Sequence, residues 1–191
     1  MLRGIVWIAL TIILGLGIGV GSGWYAINNF ANSGAIQHGV WRTNLHYGNA
    51  SADMYLRASV AQSGLFALNR SETFYMTAFT DNQGKRLDGR CTYRVTGPAP
   101  NARWWSFTLY AADHFLIPNQ AGRYAVSIGS NSARAGQVDF VVAPNRQSGD
   151  WLPSPGTKKG NSITMRLYHP AASVAADPTT MPVPAIRKVS C

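Results

Sequence analysis

Charge is missing from the start of this chain. Between Arg3 and Arg42 there is no formally charged side chain. Cysteine is nearly absent as well, with only Cys91 and Cys191. No Cys-x-x-Cys occurs, and His38, His46, His114 and His169 stand apart from one another. A clustered metal site of the zinc type is therefore not expected. Acidic residues are scarce, at 8 against 17 basic ones, and they are dispersed. No pair of carboxylates for glycoside chemistry can be assigned from their spacing. Ser106 and Ser127 lack the context of a nucleophile elbow. Asp113 and His114 are adjacent, so a strand would point them to opposite faces and a turn would send both to solvent. No catalytic residue, metal ligand or cofactor is assigned.

What the first segment does contain is apolar. Gly4 to Ile27 reads GIVWIALTIILGLGIGVGSGWYAI. A run of this length without charge suffices to cross a bilayer core as a helix. Trp7 and the Trp24-Tyr25 pair bracket it. At 1.5 Å per residue they stand about 26 Å apart, close to the separation of two interfacial aromatic belts. Residues 1–27 are expected to be an uncleaved signal anchor. Arg3 precedes the segment and no Lys or Arg follows it closely, so the positive-inside bias leaves the N-terminus in the cytoplasm. The rest would then face the periplasm of a bacterium, with the chain held in the inner membrane by one span. A cleaved signal peptide is the rival reading, with Gly21-Ser22-Gly23 as its weak cleavage site. Gly15, Gly19 and Gly23 recur every fourth residue and form a smooth helix face. Such a face suits a homodimer or another membrane protein. The glycine-rich run contains no G-x-G-x-x-G and is not read as a nucleotide loop.

Residues 28–40 are polar with two glycines and read as a linker, leaving 41–191 as one domain with a proper core. Without Arg3 that part carries 16 basic and 8 acidic residues. A net positive exported domain suits anionic headgroups or an acidic envelope polymer, and nucleic acid is not expected as a partner. Ser51 to Gln62 reads as a helix, capped by Ser51 and ended by Gly64, with Met54, Ala58 and Ala61 on one face. From Thr73 the period becomes two. Strands are expected at Thr73–Thr80, Cys91–Thr96, Trp104–Tyr110, Tyr124–Ile128, Gln137–Val142 and Ser162–Tyr168. Turns are read at Asp81 to Gly84, at Gly129-Ser130-Asn131 and at Asn145 to Asp150. A short helix near Pro170 to Val174, an extended Pro178 to Pro184 and an edge strand at Ile186 to Val189 complete the chain. The expected class is mainly β: an antiparallel sandwich with one or two short helices, behind a single transmembrane helix.

Several segments carry a resemblance. They are Trp105-Ser-Phe-Thr-Leu-Tyr110, Phe115-Leu-Ile-Pro-Asn119, Arg123-Tyr124, Asp150-Trp-Leu-Pro-Ser-Pro155, Met165-Arg-Leu-Tyr-His-Pro170 and Pro184-Ala-Ile-Arg-Lys-Val189. Asp53 to Ala58 and Gly84 to Gly89 fit the same order. Over about residues 40–189 the chain resembles the DUF1214 family of bacterial envelope proteins. The resemblance implies a jelly-roll-like β-sandwich and no particular reaction. In that family the domain often follows a DUF1254 domain, and here an apolar segment takes that place. Asn119-Gln-Ala-Gly122 stands where the family commonly has Asn-Pro-x-x-Arg-Tyr, and Lys158-Lys159 in the Gly156 to Asn161 loop stand where a small apolar or Pro-Phe stretch is more usual.

Aromatic and arginine side chains make the candidate ligand site: Trp104, Trp105, Arg123, Tyr124, Trp151 and Arg166. Aromatic faces beside guanidinium groups could line a groove for a sugar, a headgroup or a peptide. Neighbours on a strand alternate, so Trp104 and Trp105 cannot both face inward. The arginines could instead brace loops, for instance against Asp150 or Asn119. An oxidising compartment would permit a Cys91–Cys191 bond, and the residues leave that pairing open. The expected function is a membrane-tethered module that binds an envelope ligand or partner. The alternative is an envelope enzyme whose acid and base converge only in the fold.

Overall fold

A computed structural model of the chain describes residues 2–30, 33–130 and 136–191. Helix α1 runs Leu2–Phe30; its apolar side chains from Ile5 to Tyr25 are exposed, and only its last turns approach α2, where Phe30 meets Tyr55. It is the one helix among the described residues long and apolar enough to cross a membrane, though a signal sequence would look the same. Along it, a Cβ placed at Gly15, Gly19 or Gly23 would meet no atom within 4 Å. The helix goes three residues beyond the expected end at Ile27. The expected linker also carries a strand, β1 (Ile36–His38), because Gly39 takes φ +61° and turns the chain back as β2 (Trp41–Thr43). Residues 31–32 of that linker and Asn131 of the expected Gly129–Asn131 turn lie outside the described residues.

The remaining elements are α2 (Met54–Gln62), β3 (Thr73–Ala78), β4 (Thr92–Pro98), β5 (Ala102–Ala111), β6 (Ala125–Ser127), β7 (Gln137–Ala143), β8 (Trp151–Pro153), β9 (Asn161–Pro170), α3 (Ala172–Ala176), a 3-10 turn at Pro178–Thr180 and β10 (Ala185–Ser190). They form two sheets. The larger has the order β1-β2-β3-β9-β5-β6 and the smaller β10-β4-β7-β8. Every pairing is antiparallel except β7 with β8. The fold is therefore mainly β, as expected, and its two sheets are consistent with a jelly roll.

Period-two patterning decides which faces meet. Phe74, Met76, Trp105, Phe107, Met165 and Leu167 point inward from the large sheet. Tyr93, Val95, Val138, Phe140 and Val142 answer from the small one. Phe107 and Phe140 meet with ring centres 5.3 Å apart. Two buried indoles find acceptors, Trp41 at the Pro184 carbonyl and Trp151 at the Ala143 carbonyl. Burying these N–H groups unpaired would cost free energy that the fold avoids. Cys91 and Cys191 are bonded, with Cα atoms 4.1 Å apart across 100 residues of chain. The bond ties the last residue to the start of β4.

Helix α2 differs from expectation in two respects. Its N-cap is Asp53, whose carboxylate accepts from the Tyr55 and Leu56 N–H groups; Ser51 lies outside the helix. A carboxylate here also suits the helix dipole, which explains the shift of two residues. The helix docks through Leu56 and leaves Met54 of the expected apolar face 74% exposed. It lies over the outer face of the large sheet, together with the segments on either side of it. Central strands that should be wet on one face are therefore covered on both. Thr73, Ser106, Thr108, Ser162 and Thr164 are all buried.

Candidate functional site

The register of the large sheet gathers a polar surface. Thr77 of β3 pairs with Thr164 of β9, and Tyr75 with Arg166. On the other side Tyr110 of β5 pairs with Ser162. Arg42 of β2 lies opposite Thr77, and Gln37 of β1 opposite Arg42. These residues alternate with the core positions, so they project outward beneath α2. Between this floor and the covering segments lies a cavity of about 440 Å³. Ser59 and Gln62 of α2, Ser63 at its C-terminal cap, Tyr47 of the preceding loop and Asn28 of α1 close it.

Arg166 is the anchor of the floor. Its Nη2 donates to the Tyr110 hydroxyl at 2.5 Å. Its guanidinium carbon lies 5.4 Å from the Tyr110 ring centre and 6.0 Å from that of Tyr75. Aromatic faces hold a guanidinium without neutralising it. The Tyr75 hydroxyl accepts from the Leu68 N–H, which fixes the covering loop over that ring. Thr77 and Thr164 share a hydrogen bond at 3.0 Å. Burial pushes the Tyr47 phenol above its ordinary pKa.

The charge balance of the cavity is one-sided. Arg42 and Arg166 line it and no Asp or Glu does, among the described residues. Neither arginine belongs to one of the ion pairs found among those residues, which are Arg90–Asp88, Arg94–Asp139 and His169–Glu72. A partly covered site with two uncompensated cations and several hydroxyls favours an anionic or strongly hydroxylated occupant. His114 borders the cavity from a turn at φ +67°, and the neighbouring Asp113 carboxylate accepts the Phe115 N–H. The His169–Glu72 pair, at 3.7 Å, is open to solvent on both sides.

The six residues singled out from the sequence do not share one groove. Trp105 is 1% exposed and Trp151 is also in the core. Trp104, its strand neighbour, is 39% exposed and meets Tyr168 edge-on at 5.0 Å. Arg123 and Tyr124 stand in the exposed approach to β6. The Asn119 side chain accepts the Arg123 N–H and donates to its carbonyl, while the guanidinium reaches toward the Gly149 carbonyl at 3.5 Å. Arg166 alone lies at the cavity. Arg42, Tyr47, Thr77 and Thr164 were missed as a set. The alternation of Thr164, Arg166 and Tyr168 in β9 carries the signal for one wall, whereas nothing local reveals what covers it.

Residues 72–172 match the model of a family described as "Protein of unknown function (DUF1214)". No relative among curated proteins matches the chain. Among solved structures, the VPA0106 protein from Vibrio parahaemolyticus is similar, with a TM-score of 0.58 and 22% identity over 71% of this chain. The chain covers 35% of that protein, so the likeness concerns the fold of one part of it. An uncharacterized protein from Burkholderia cenocepacia aligns with a TM-score of 0.41 and 21% identity, over 62% of this chain and 29% of that one.

Proposed function

The chain belongs to the DUF1214 family, and we propose that it is a membrane-anchored binding module taking a small anionic ligand in the cavity under α2. The observation that carries this is the pairing of Arg42 and Arg166 with hydroxyl side chains where no carboxylate lines the walls. Guanidinium groups in fixed geometry recognise carboxylate and phosphate through paired N–H donors. Arg166 has further donors beyond the one given to Tyr110.

In this reading α1 is the anchor, a short connection follows, and the sandwich begins at Ile36. Arg3 ahead of an uncharged span supports a cytoplasmic N-terminus and a periplasmic domain. The Cys91–Cys191 bond supports the same side, since such bonds persist in oxidising compartments. The open Gly15–Gly19–Gly23 ridge would accept a second helix in the bilayer.

The test is a titration of the full chain, held in nanodiscs of phosphatidylcholine, with phosphate, methyl phosphate and acetate. At least one anion should bind saturably, and Arg166→Gln should weaken it by about 10-fold or more, as loss of a charged hydrogen bond implies. Absence of saturable binding, or binding untouched by both Arg42→Gln and Arg166→Gln, overturns the proposal.

A further inference from the structure

A second hollow adjoins the polar cavity, and its chemistry is opposite. It measures about 360 Å³ and is bounded by Leu56, Val60 and Ala61 of α2 and by Leu65, Phe66 and Ala67 beyond it. Helix α2 is the partition between the two. Ser59, Gln62 and Ser63, spaced three and four apart, border the polar cavity. Leu56 and Val60, one turn apart, border the apolar one. Arg57 also reaches this hollow, but its guanidinium donates to the Ala50 carbonyl.

The two spaces meet where the helix stops. Gly64 and Leu65 line both. A Cβ built on Gly64 would meet nothing within 4 Å, so the threshold is open. Just past it Phe66 is 96% exposed, an apolar ring at the lip of the hollow. The end of α1 stands alongside: the Phe30 ring lies 6.4 Å from that of Tyr55 on α2, and Asn28 lines the polar cavity. The polar cavity thus adjoins the end of the helix that is apolar enough to enter a bilayer, and the apolar hollow lies across α2 from it.

We propose that the ligand is an anionic amphiphile taken from the membrane: a single-chain lipid with a phosphate-like head. Its head lies between Arg42 and Arg166, and its aliphatic chain crosses Gly64 into the hollow beside Val60 and Ala61. The proposal rests on the anionic-ligand reading above and adds the chain. A polar ligand alone would leave the apolar hollow without purpose, and a purely apolar one would leave two guanidinium groups unpaired. Both halves of such a molecule match the two spaces at once, and the spaces join at Gly64, a position that carries no side chain.

The experiment compares methyl phosphate with hexyl phosphate, below its micellar concentration, on the full chain in phosphatidylcholine nanodiscs, with empty nanodiscs as the blank. Each fully buried methylene can tighten binding about fourfold. Hexyl phosphate should therefore bind at least 10-fold more tightly, a conservative share of that gain. Ala61→Glu adds a charge to the hollow at an exposed helix position and should abolish the gain while leaving methyl phosphate unaffected. Arg166→Gln should weaken both probes. Long-chain lysophosphatidic acid doped into the nanodisc should displace hexyl phosphate. Methyl phosphate binding without a chain-length gain overturns the amphiphile and leaves the anion cavity standing. Failure of both probes overturns both readings. A gain that survives Ala61→Glu, or hexyl phosphate that the doped lipid does not displace, overturns the placement of the chain or its membrane source.

Discussion

Replacing Cys191 by serine removes the cross-link with little other disturbance. Cys191 is exposed, whereas Cys91 is buried and can remain as a small apolar side chain. Strand β10 stays pinned without the bond, because Ile186 exchanges hydrogen bonds with Asn82: the Asn82 side chain accepts its N–H at 2.6 Å, and its carbonyl accepts the Asn82 N–H at 2.9 Å. Most of the effect therefore falls on the unfolded chain. A bond spanning 100 residues restricts that chain by about 4.7 kcal/mol in the loop-entropy account. Residual structure in the unfolded state trims this, so a loss of about 3–5 kcal/mol is expected on urea unfolding of the full chain in nanodiscs. For a domain of this size the larger figure corresponds to a fall of roughly 10–20 °C in Tm. Reductant should move the native protein to the same midpoint and leave Cys191→Ser where it is. A loss below about 1 kcal/mol, or two free thiols titrated in unreduced denatured protein, would refute the reasoning.

The strand alternation makes a sharp contrast between neighbours: Trp105→Ala should cost about 3–5 kcal/mol and Trp104→Ala about 1 kcal/mol or less, by the same denaturation assay. Reversed losses would mean that β5 faces the other way, and equal losses would exclude the alternation. Gly48 has φ +67°, and a Cβ there would lie 2.2 Å from the Leu68 carbonyl oxygen, so Gly48→Ala should destabilise by about 2 kcal/mol or more and loosen the loop over Tyr75. An unchanged midpoint would show that the two loops do not touch. The side-chain hydrogen bond from Arg90 holds the Asp88 carboxyl down at about 2. Its folded pKa is depressed, so its stabilising contribution is present above the unfolded value and is lost as pH falls from about 4 through 2. Carboxyl NMR should give a midpoint near 2, and Arg90→Gln should raise it; an ordinary carboxylate midpoint in the native protein would exclude the pair.

The strands were legible because each inner face repeats every second residue. Phe74, Met76 and Ala78, or Ile163, Met165 and Leu167, declare a core side regardless of what lies opposite. The Trp104–Trp105 pair was legible for the same reason. Element ends were less so, since they depend on caps: Asp53 rather than Ser51 starts α2, and both residue types are good caps. Strand β1 could not be read as a strand because three residues show no period; its hairpin partner and β3 hold it in the sheet. The Cys91–Cys191 bond depends on where β10 runs, which is a matter of sheet order and not of spacing.

The candidate site illustrates the deeper limit of local pattern. Aromatic and arginine residues near one another in the chain suggested a groove, yet Trp105 and Trp151 were needed to fill the core and Arg123 lies on an exposed loop. The cavity instead draws on α1, β1, β2, α2, β3, β5 and β9, seven elements whose meeting is set by topology. Polar residues on the outer face of β3 and β9 look like an ordinary wet surface when read alone. They become a site only because α2 and its flanking loops cover them, which raises the strength of every charge contact beneath. One physical consequence ties fold to function. Burying a threonine-rich face costs free energy unless its hydroxyls are paired; Thr77 pairs with Thr164, and the Thr43 hydroxyl donates to the Tyr75 carbonyl. A bound polar group would supply further partners. Stabilisation by a tight ligand should therefore exceed that seen for Arg166→Gln at equal ligand concentration, by RT times the logarithm of the affinity ratio once both are near saturation. Equal upward shifts in Tm for the two proteins would show that the ligand is held somewhere other than on Arg166.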